Sequence, residues 1–160
     1  MKLLTPMQTA ETLQAIELDS LVSKGIKLLL VDIDNTIVPH GDSETTQEIL
    51  DWLIDARQKG LHLVLMSNNS RKLFPFLDSH ADLYHCKSLK PFSINYKKIM
   101  KKYEASPSQT AMIGNQIFTD VLGANHLSIH SILVRRQREY GKFTRKILHK
   151  IEDKLWEKFI

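Results

Sequence analysis

The sequence predicts an α/β protein built on a doubly wound parallel sheet, and three features of the chain support this fold. Short apolar segments alternate with stretches of helical periodicity over residues 27–134. The first apolar segment, residues 27–33, is continuous, which is typical of a strand buried on both faces. With 160 residues, 42% of them apolar and 25% charged, the chain can bury one core. Because alternating strands and helices join through right-handed crossovers, we expect one α/β domain over residues 1–160.

Local signals in the sequence give the expected start and end of each element. The first strand follows Gly25, and either Ser43 or Thr45 is a candidate N-cap for a helix that ends before Gly60. Apolar residues at helical spacing predict the core-facing side of that helix: Ile49, Leu50, Trp52, Leu53 and Ala56. The other strands are expected at residues 61–66, 81–86, 110–113 and 129–134, and the other helices at 71–79, 93–103 and 118–125.

The last segment, residues 142–160, has the pattern of a basic amphipathic helix. Its apolar residues recur at helical spacing, and six lysines and arginines occupy the other positions. Two interpretations follow. The favoured one is a terminal helix that docks on its own domain, and the other is a helix that lies on an anionic membrane surface. The net charge of +4 is a mild excess that does not select an anionic partner.

The single cysteine, Cys86, excludes an intrachain disulfide and is expected to be a packed thiol. The first residues lack the apolar region of a signal peptide, and the apolar run around residues 28–33 is too short to span a membrane. We therefore expect a cytoplasmic protein, with peripheral membrane contact as the alternative that the last helix leaves open.

Chemically active side chains follow four of the predicted strands. Ligands bind at the carboxyl ends of parallel strands, so these residues are expected to meet. Two carboxylates beside an apolar run are costly unless cations or donors compensate them, which indicates a divalent metal, and a carboxylate can also attack phosphorus. Taken singly, each of these residues also fits an ordinary turn, cap or surface position. The candidates are Asp32, Asp34 and Thr36 after the first strand, Ser67 and Asn68 after the second, Lys90 after the third, and Asn115 and Asp120 after the fourth.

The order and spacing of these motifs resemble the haloacid dehalogenase-like (HAD) phosphohydrolase superfamily over residues 27–134. The segments D-I-D-N-T, S-N-N, K-P and G-N-Q-I-F-T-D-V-L-G-A-N are similar to those of YqeG-type class IIIA phosphatases. This resemblance implies a Rossmann-like core without a large cap, and only a short segment separates Asp34 from the next predicted helix.

The resemblance also implies roles for the candidate residues. Asp32 would be the nucleophile, and Asp34 would protonate the leaving oxygen and then activate water. Thr36 would stabilise their loop, while Ser67 and Lys90 would bind the phosphoryl group, to which the Asn68 backbone N–H is a further candidate donor. The magnesium ligands implied or considered are Asp32, the Asp34 carbonyl, Asn115 and Asp120.

One position departs from the family pattern, which usually has aspartate where this chain has Asn115. An amide oxygen can ligate magnesium but brings no negative charge. Three functions therefore stay open. The first is a magnesium-dependent phosphatase, with phosphatidylglycerophosphate as a substrate of some relatives. The second is a weakly active or inactive binding protein that acts in a ribosome or nucleic-acid assembly. The third is a lipid-surface protein in which the C-terminal helix matters more than catalysis.

Overall fold

A six-stranded parallel sheet forms the centre of the structure, a computed structural model that describes residues 3–69, 74–138 and 143–159, with the backbone alone for residues 143–149. The strands are β1 (Gln8–Ala10), β2 (Leu28–Asp32), β3 (His62–Met66), β4 (Leu83–His85), β5 (Thr110–Gly114) and β6 (His130–Val134). Their order across the sheet is β1-β6-β5-β2-β3-β4. The helices are α1 (Leu18–Ser23), α2 (Gln47–Gln58), α3 (Ser93–Lys102), α4 (Leu122–His126) and α5 (Phe143–Trp156).

Helices cover both faces of the sheet, which confirms the predicted doubly wound α/β fold. All five residues of β2 are buried, and its side chains alternate between the two layers. Leu29 and Val31 belong to one core with residues of α1 and α2, whereas Leu28 and Leu30 belong to a second core with residues of α3 and α4. The continuous apolar run in the sequence reflects this burial on both faces.

The expected elements are present, with differences at their ends. The helix expected after Ser43 or Thr45 begins at Gln47, because Thr46 has the extended backbone of the residue that precedes a helix. The Thr45 hydroxyl donates instead to the Ile37 carbonyl. The helix expected at residues 71–79 falls partly outside the described residues, and its described part contains a single 3-10 turn at Pro75–Leu77. A π-helical turn at Ile117–Val121 precedes α4, so the helix expected from residue 118 is continuous but not uniformly α-helical.

Two elements near the N-terminus were not predicted. Strand β1 pairs in parallel with β6 at the edge of the sheet, and α1 leads from it toward β2. Asn125 stabilises this arrangement, because its side-chain amide donates to the Leu3 and Thr5 carbonyls at 2.9 and 2.8 Å. The three residues of β1 are only half-buried and include no apolar run, so periodicity gives no signal for a strand there.

The C-terminal half of α5 packs against the domain. Leu155, Trp156 and Phe159 contact the small cluster formed by Ile117, Val121 and Leu133. On the same helix, Glu152 is buried, and its Oε1 accepts hydrogen bonds from the backbone N–H groups of Ile117 at 2.9 Å and Phe118 at 3.4 Å.

This packing follows the docking interpretation for the described end of the helix, although Ile151, on the predicted apolar side, is 46% exposed. None of the described helices is long and apolar enough to cross a membrane.

Glu152 makes α5 docking dependent on pH. Burial raises the pKa of its carboxyl group from 4.5 to about 7, against the lowering effect of the Phe118 and Ile117 donors. Between these values the folded chain binds the proton more tightly than the unfolded chain, so raising the pH weakens folding. Relative to Glu152→Gln, we expect the wild-type free energy of unfolding to fall by at most about 3 kcal/mol from pH 4.5 to about 7.

Urea unfolding across this pH range measures the difference. Glu157→Gln changes an exposed glutamate on the same segment and is the matched control. Parallel pH profiles of the wild type and Glu152→Gln would contradict a raised pKa at Glu152.

Candidate active site

Asp32 ends the central strand β2, which lies between β3 and β5. Its side chain is buried at 6% exposure, and its two oxygens have different partners. Oδ2 accepts a hydrogen bond from the Thr36 hydroxyl at 3.1 Å, and Oδ1 forms an ion pair with the Lys90 ammonium group. The carboxylate is therefore fixed in a buried position at the carboxyl edge of the sheet.

Asp34 lies on the tight loop that follows β2. The Ile33 carbonyl accepts backbone hydrogen bonds from Thr36, Ile37 and Val38, which curls the loop back on the strand end. Asn35 adopts a positive φ of 68°, a left-handed conformation that asparagine tolerates better than most residues. The turn places the Asp34 carboxylate beside β3, where it accepts a hydrogen bond from the Ser67 hydroxyl.

Lys90 connects Asp32 to Asp120. Its ammonium nitrogen lies 2.7 Å from Asp120 Oδ1, and both side chains are 2% exposed. Burial opposes the charged form of Lys90, but the carboxylates of Asp120 and Asp32 outweigh it and raise the pKa of the lysine above its ordinary value. Gly114 makes room for Asp120, since a Cβ at residue 114 would lie 2.3 Å from Asp120 Oδ2.

Asn68 holds the backbone on which Lys90 sits. Its Oδ1 accepts from the Lys90 N–H at 2.8 Å, and its Nδ2 donates to the Lys90 carbonyl at 3.0 Å. Both ends of the side-chain amide are thus used to position the lysine. The role expected from the sequence was a backbone N–H to phosphate, and the positioning role of the side chain was not foreseen.

Asn115, at the end of β5, contacts the Asp34 loop. Its Nδ2 donates to the Asp34 carbonyl at 3.0 Å. An aspartate at this position would have no such donor. The structure therefore brings together all the candidate residues of the four motifs, and it shows that the departing residue joins β5 directly to the loop after β2.

The segment after β6 also contacts the Asp34 loop, which sequence reasoning missed. The Gln137 side chain donates to the Thr36 carbonyl at 2.6 Å, and its backbone N–H donates to the Asn35 carbonyl at 3.2 Å. The Arg138 N–H donates to Asn35 Oδ1 at 2.9 Å. Asn35, between Asp34 and Thr36, signals a turn, but nothing in the local sequence identifies partners about a hundred positions away.

Cys86 is half-buried after β4. Burial, and then the nearby Asp34 carboxylate, raises the pKa of its thiol. A thiol that is held protonated is a poor nucleophile, which agrees with the expected packed cysteine.

The charges of the site are unbalanced. Two carboxylates, of Asp32 and Asp120, contact the Lys90 ammonium group, and Asp34 adds a third two residues after Asp32, so these four groups have a formal charge of −2 when all are ionised. The pKa of Asp32 is raised to about 7, mainly by burial and further by the Asp120 and Asp34 carboxylates, against the lowering effect of Lys90. A divalent cation would restore neutrality and favour the ionised form of Asp32.

The available donors for such a cation are all oxygens, which suit magnesium. They are the Asp32 carboxylate, the Asp34 carbonyl and the Asn115 amide oxygen. Within residues 3–69, 74–138 and 143–159, no group of three His, Cys, Asp or Glu side chains is placed to hold a metal by itself. A magnesium site here therefore depends on the carbonyl and amide oxygens, and these residues fit it in kind and charge.

Comparisons with known proteins agree with this geometry. A family model described as HAD-hydrolase-like matches residues 89–155. The probable phosphatase YqeG of Bacillus subtilis is 26% identical over 134 residues, which cover 83% of this chain and 78% of that protein.

Several solved structures share the fold. An uncharacterised protein from Listeria monocytogenes has a TM-score of 0.58 at 17% identity, covering 82% of this chain and 97% of that one. A HAD phosphatase from Thermococcus onnurineus has a TM-score of 0.54 at 18% identity, covering 66% and 58%. A HAD-family enzyme from Bacteroides thetaiotaomicron, solved as a magnesium complex, has a TM-score of 0.53 at 12% identity, covering 76% and 99%.

The resemblance predicted from the four motifs is confirmed by the family model, the YqeG relative and the shared fold. The motif residues follow the carboxyl ends of neighbouring strands of one parallel sheet. Together, the family model over residues 89–155, the 26% identity to YqeG and the shared fold support the similarity of this chain to the HAD-like phosphohydrolase superfamily and, within it, to the YqeG type.

Proposed function

We propose that this protein is a magnesium-dependent phosphatase that hydrolyses a phosphate monoester through an aspartyl phosphate on Asp32. The observation that carries the proposal is the buried Asp32 carboxylate, fixed by Thr36 and Lys90 at the end of β2. The similarity to a probable phosphatase of Bacillus subtilis supports the reaction class. The donor oxygens around a net negative site support the metal.

In the first step, a carboxylate oxygen of Asp32 forms a bond to phosphorus while the bond from phosphorus to the ester oxygen breaks. Lys90 neutralises charge on the phosphoryl oxygens, and the Ser67 hydroxyl, which donates its one proton to Asp34 in the structure, turns to donate it to one of them. Asp34 gives its proton to the leaving oxygen, so that an alcohol departs. The hydrogen bond between Ser67 and Asp34 places the acid and the phosphoryl-binding hydroxyl side by side.

In the second step, water hydrolyses the aspartyl phosphate. Asp34, now ionised, takes a proton from the water as its oxygen attacks phosphorus, and the bond from phosphorus to Asp32 breaks. Inorganic phosphate leaves, and Asp34 is again protonated for the next cycle. One loop thus supplies both the nucleophile and the acid–base group, two residues apart.

Magnesium would be held by the Asp32 carboxylate, the Asp34 carbonyl and the Asn115 amide oxygen. When bound, it supplies positive charge against the phosphoryl oxygens, the main requirement of phosphoryl transfer. The sequence makes Asp120 a further candidate metal ligand. Its contacts with the Lys90 ammonium group at 2.7 Å and with the Gln116 N–H at 3.0 Å favour a role in positioning Lys90.

The leaving group has space beside the site. A cavity of about 370 Å³ opens next to Asn115, between the segment after β6 and the end of α5. Arg136, Gln137 and Trp156 are among the residues that line it. The acidic residues Glu152, Asp153 and Glu157 line it as well, so its lining does not select the alcohol part of the substrate. Phosphatidylglycerophosphate, which the resemblance suggests, is the candidate substrate that we propose. Assay of this lipid in detergent micelles against a soluble aryl phosphate tests the preference, and equal rates would contradict it.

The alternative function is a binding protein with little activity, acting in a ribosome or nucleic-acid assembly. Its specific support is Asn115, which uses its amide to bond Asp34 and brings no charge to a metal. The intact nucleophile, acid, hydroxyl and lysine favour the enzyme. The following two experiments separate these functions.

The first prediction concerns Asp32→Asn. The amide retains the shape of the side chain but is not a nucleophile, so hydrolysis of an aryl phosphate with magnesium should fall on the order of a thousandfold. Asp51→Asn, an exposed aspartate on α2, is the matched control and should retain the full rate. A wild-type rate in Asp32→Asn would remove Asp32 from the mechanism, and no activity in the wild-type protein would favour the binding function.

The second prediction concerns Asn115→Asp. The added charge should lower the magnesium concentration for half-maximal rate by on the order of tenfold. Without magnesium the variant should be less stable by about 1–3 kcal/mol, because the Asp34 carbonyl loses its donor and faces a carboxylate.

Thermal unfolding with and without magnesium, together with magnesium titration of the rate, gives both quantities. Asn115→Ala is the control, since it loses the same hydrogen bond without adding charge and should require more magnesium. An unchanged titration in Asn115→Asp would show that residue 115 does not ligate the metal.

A further inference from the structure

Three apolar side chains stand exposed beside Lys90. Leu89 is 56% exposed, Phe92 is 70% exposed and Ile94 is 53% exposed. Single exposed apolar residues are common on soluble proteins and need no explanation. Here three occur within six positions, and Phe92 is the most exposed of the large apolar residues that the structure describes.

These side chains lie on one short stretch of backbone. The Phe92 N–H donates to the Leu89 carbonyl at 2.8 Å, so Leu89 and Phe92 flank a tight turn. Asn68 fixes the same turn through its two hydrogen bonds to the Lys90 backbone. Because the Lys90 ammonium group points inward to Asp32 while its neighbours are exposed, this surface begins one residue from the reacting groups.

Lysines follow the apolar side chains along the same helix and precede them in the chain. Helix α3 starts at Ser93, and its exposed face continues from Ile94 to the lysines three and four positions later. The helix contains no acidic residue, and its opposite face, with Tyr96 and Ile99, is buried against the sheet. The exposed lysines around the apolar group are Lys87, Lys97, Lys98, Lys101 and Lys102. Together with Leu89, Phe92 and Ile94 they form what we call the Phe92 surface.

We propose that the Phe92 surface docks on an anionic membrane. Leu89, Phe92 and Ile94 enter the boundary between headgroups and acyl chains, and the lysines lie against anionic headgroups. Exposed apolar side chains next to lysines fit a lipid surface. A protein that binds single-stranded nucleic acid instead stacks aromatic side chains on the bases within a basic groove. The docking itself does not rest on the proposed reaction.

Membrane docking is also one interpretation of the C-terminal helix, but the described side chains of that helix favour the Phe92 surface. Leu155 and Trp156 pack on Ile117 and Leu133, so these apolar residues of α5 are covered by the protein itself. The exposed lysines Lys150 and Lys154 on α5 provide a control with the same charge, and among the side chains described on this helix only Ile151 is a large apolar group exposed beside them.

Vesicle flotation of the full chain tests the proposal. We expect binding to vesicles of phosphatidylcholine mixed with an equal part of phosphatidylglycerol, and little binding to phosphatidylcholine alone. Phe92→Ser should lower the partition coefficient about tenfold. Lys97→Gln with Lys98→Gln should lower it about thirtyfold at low salt, because each basic residue near the surface contributes to the attraction.

Matched variants distinguish binding by this surface from non-specific hydrophobic or electrostatic binding. Ile54→Ser removes an exposed apolar residue elsewhere, and Lys150→Gln with Lys154→Gln removes two lysines from α5; both should bind as the wild type does. In Phe92→Trp, tryptophan emission should shift to shorter wavelength with anionic vesicles. All variants lie outside the reacting groups and should retain the aryl phosphatase rate.

Several outcomes would overturn the proposal. They are no vesicle binding by the wild type, equal binding by Phe92→Ser, or loss of binding only in the α5 lysine variant. A concentration-dependent dimer that Phe92→Ser abolishes would assign the surface to a second copy of the chain. Retention of RNA that depends on Lys97 and Lys98 but not on Phe92 would assign it to nucleic acid. Vesicle binding without phosphatase activity would uphold the proposal and overturn the proposed function.

Discussion

Burial of the Asp32 carboxylate is the constraint on which the rest of the structure depends. A carboxylate at the end of a strand buried on both faces loses its hydration, and burial alone would keep it protonated. The fold opposes this with the Thr36 hydroxyl and the Lys90 ammonium group. Lys90 is itself buried and is kept charged by Asp120 as well as by Asp32. The buried charge of Asp32 is thus balanced by Lys90, and that of Lys90 by Asp120 as well. The net charge that is left is negative and suits a divalent cation.

Most of this compensation comes from distant parts of the chain. Lys90 is carried by a turn whose backbone is fixed by Asn68, and Asp120 lies against Gly114 on the helix after β5. The parallel sheet makes this possible, since the carboxyl ends of β2, β3, β4 and β5 lie next to one another in space. The fold therefore positions the reacting side chains, and four short motifs supply them.

The sequence predicted those parts of the structure that leave a local pattern. The apolar run before Asp32 predicted a strand buried on both faces, and the four motifs predicted which residues share the site. Strand β1 was missed because its three residues gain their stability from pairing with β6 and from the Asn125 hydrogen bonds, neither of which has a local signal. The contacts of Gln137 and Arg138 with the Asp34 loop were missed for the same reason. The exposure of Phe92 depends on the turn that Asn68 fixes, which no helical or strand periodicity encodes.

The C-terminal region takes part in the site although it carries none of the motifs. Glu152 accepts hydrogen bonds from the first N–H groups of the π-helical turn, and that turn carries Asp120. Arg136 pairs with Asp153, which ties α5 to the segment that contacts the Asp34 loop. This helix therefore braces two of the site's loops from one side. The Phe92 surface includes the Lys90 turn and does not include α5. The helix can therefore stabilise the site while the Phe92 surface contacts the membrane.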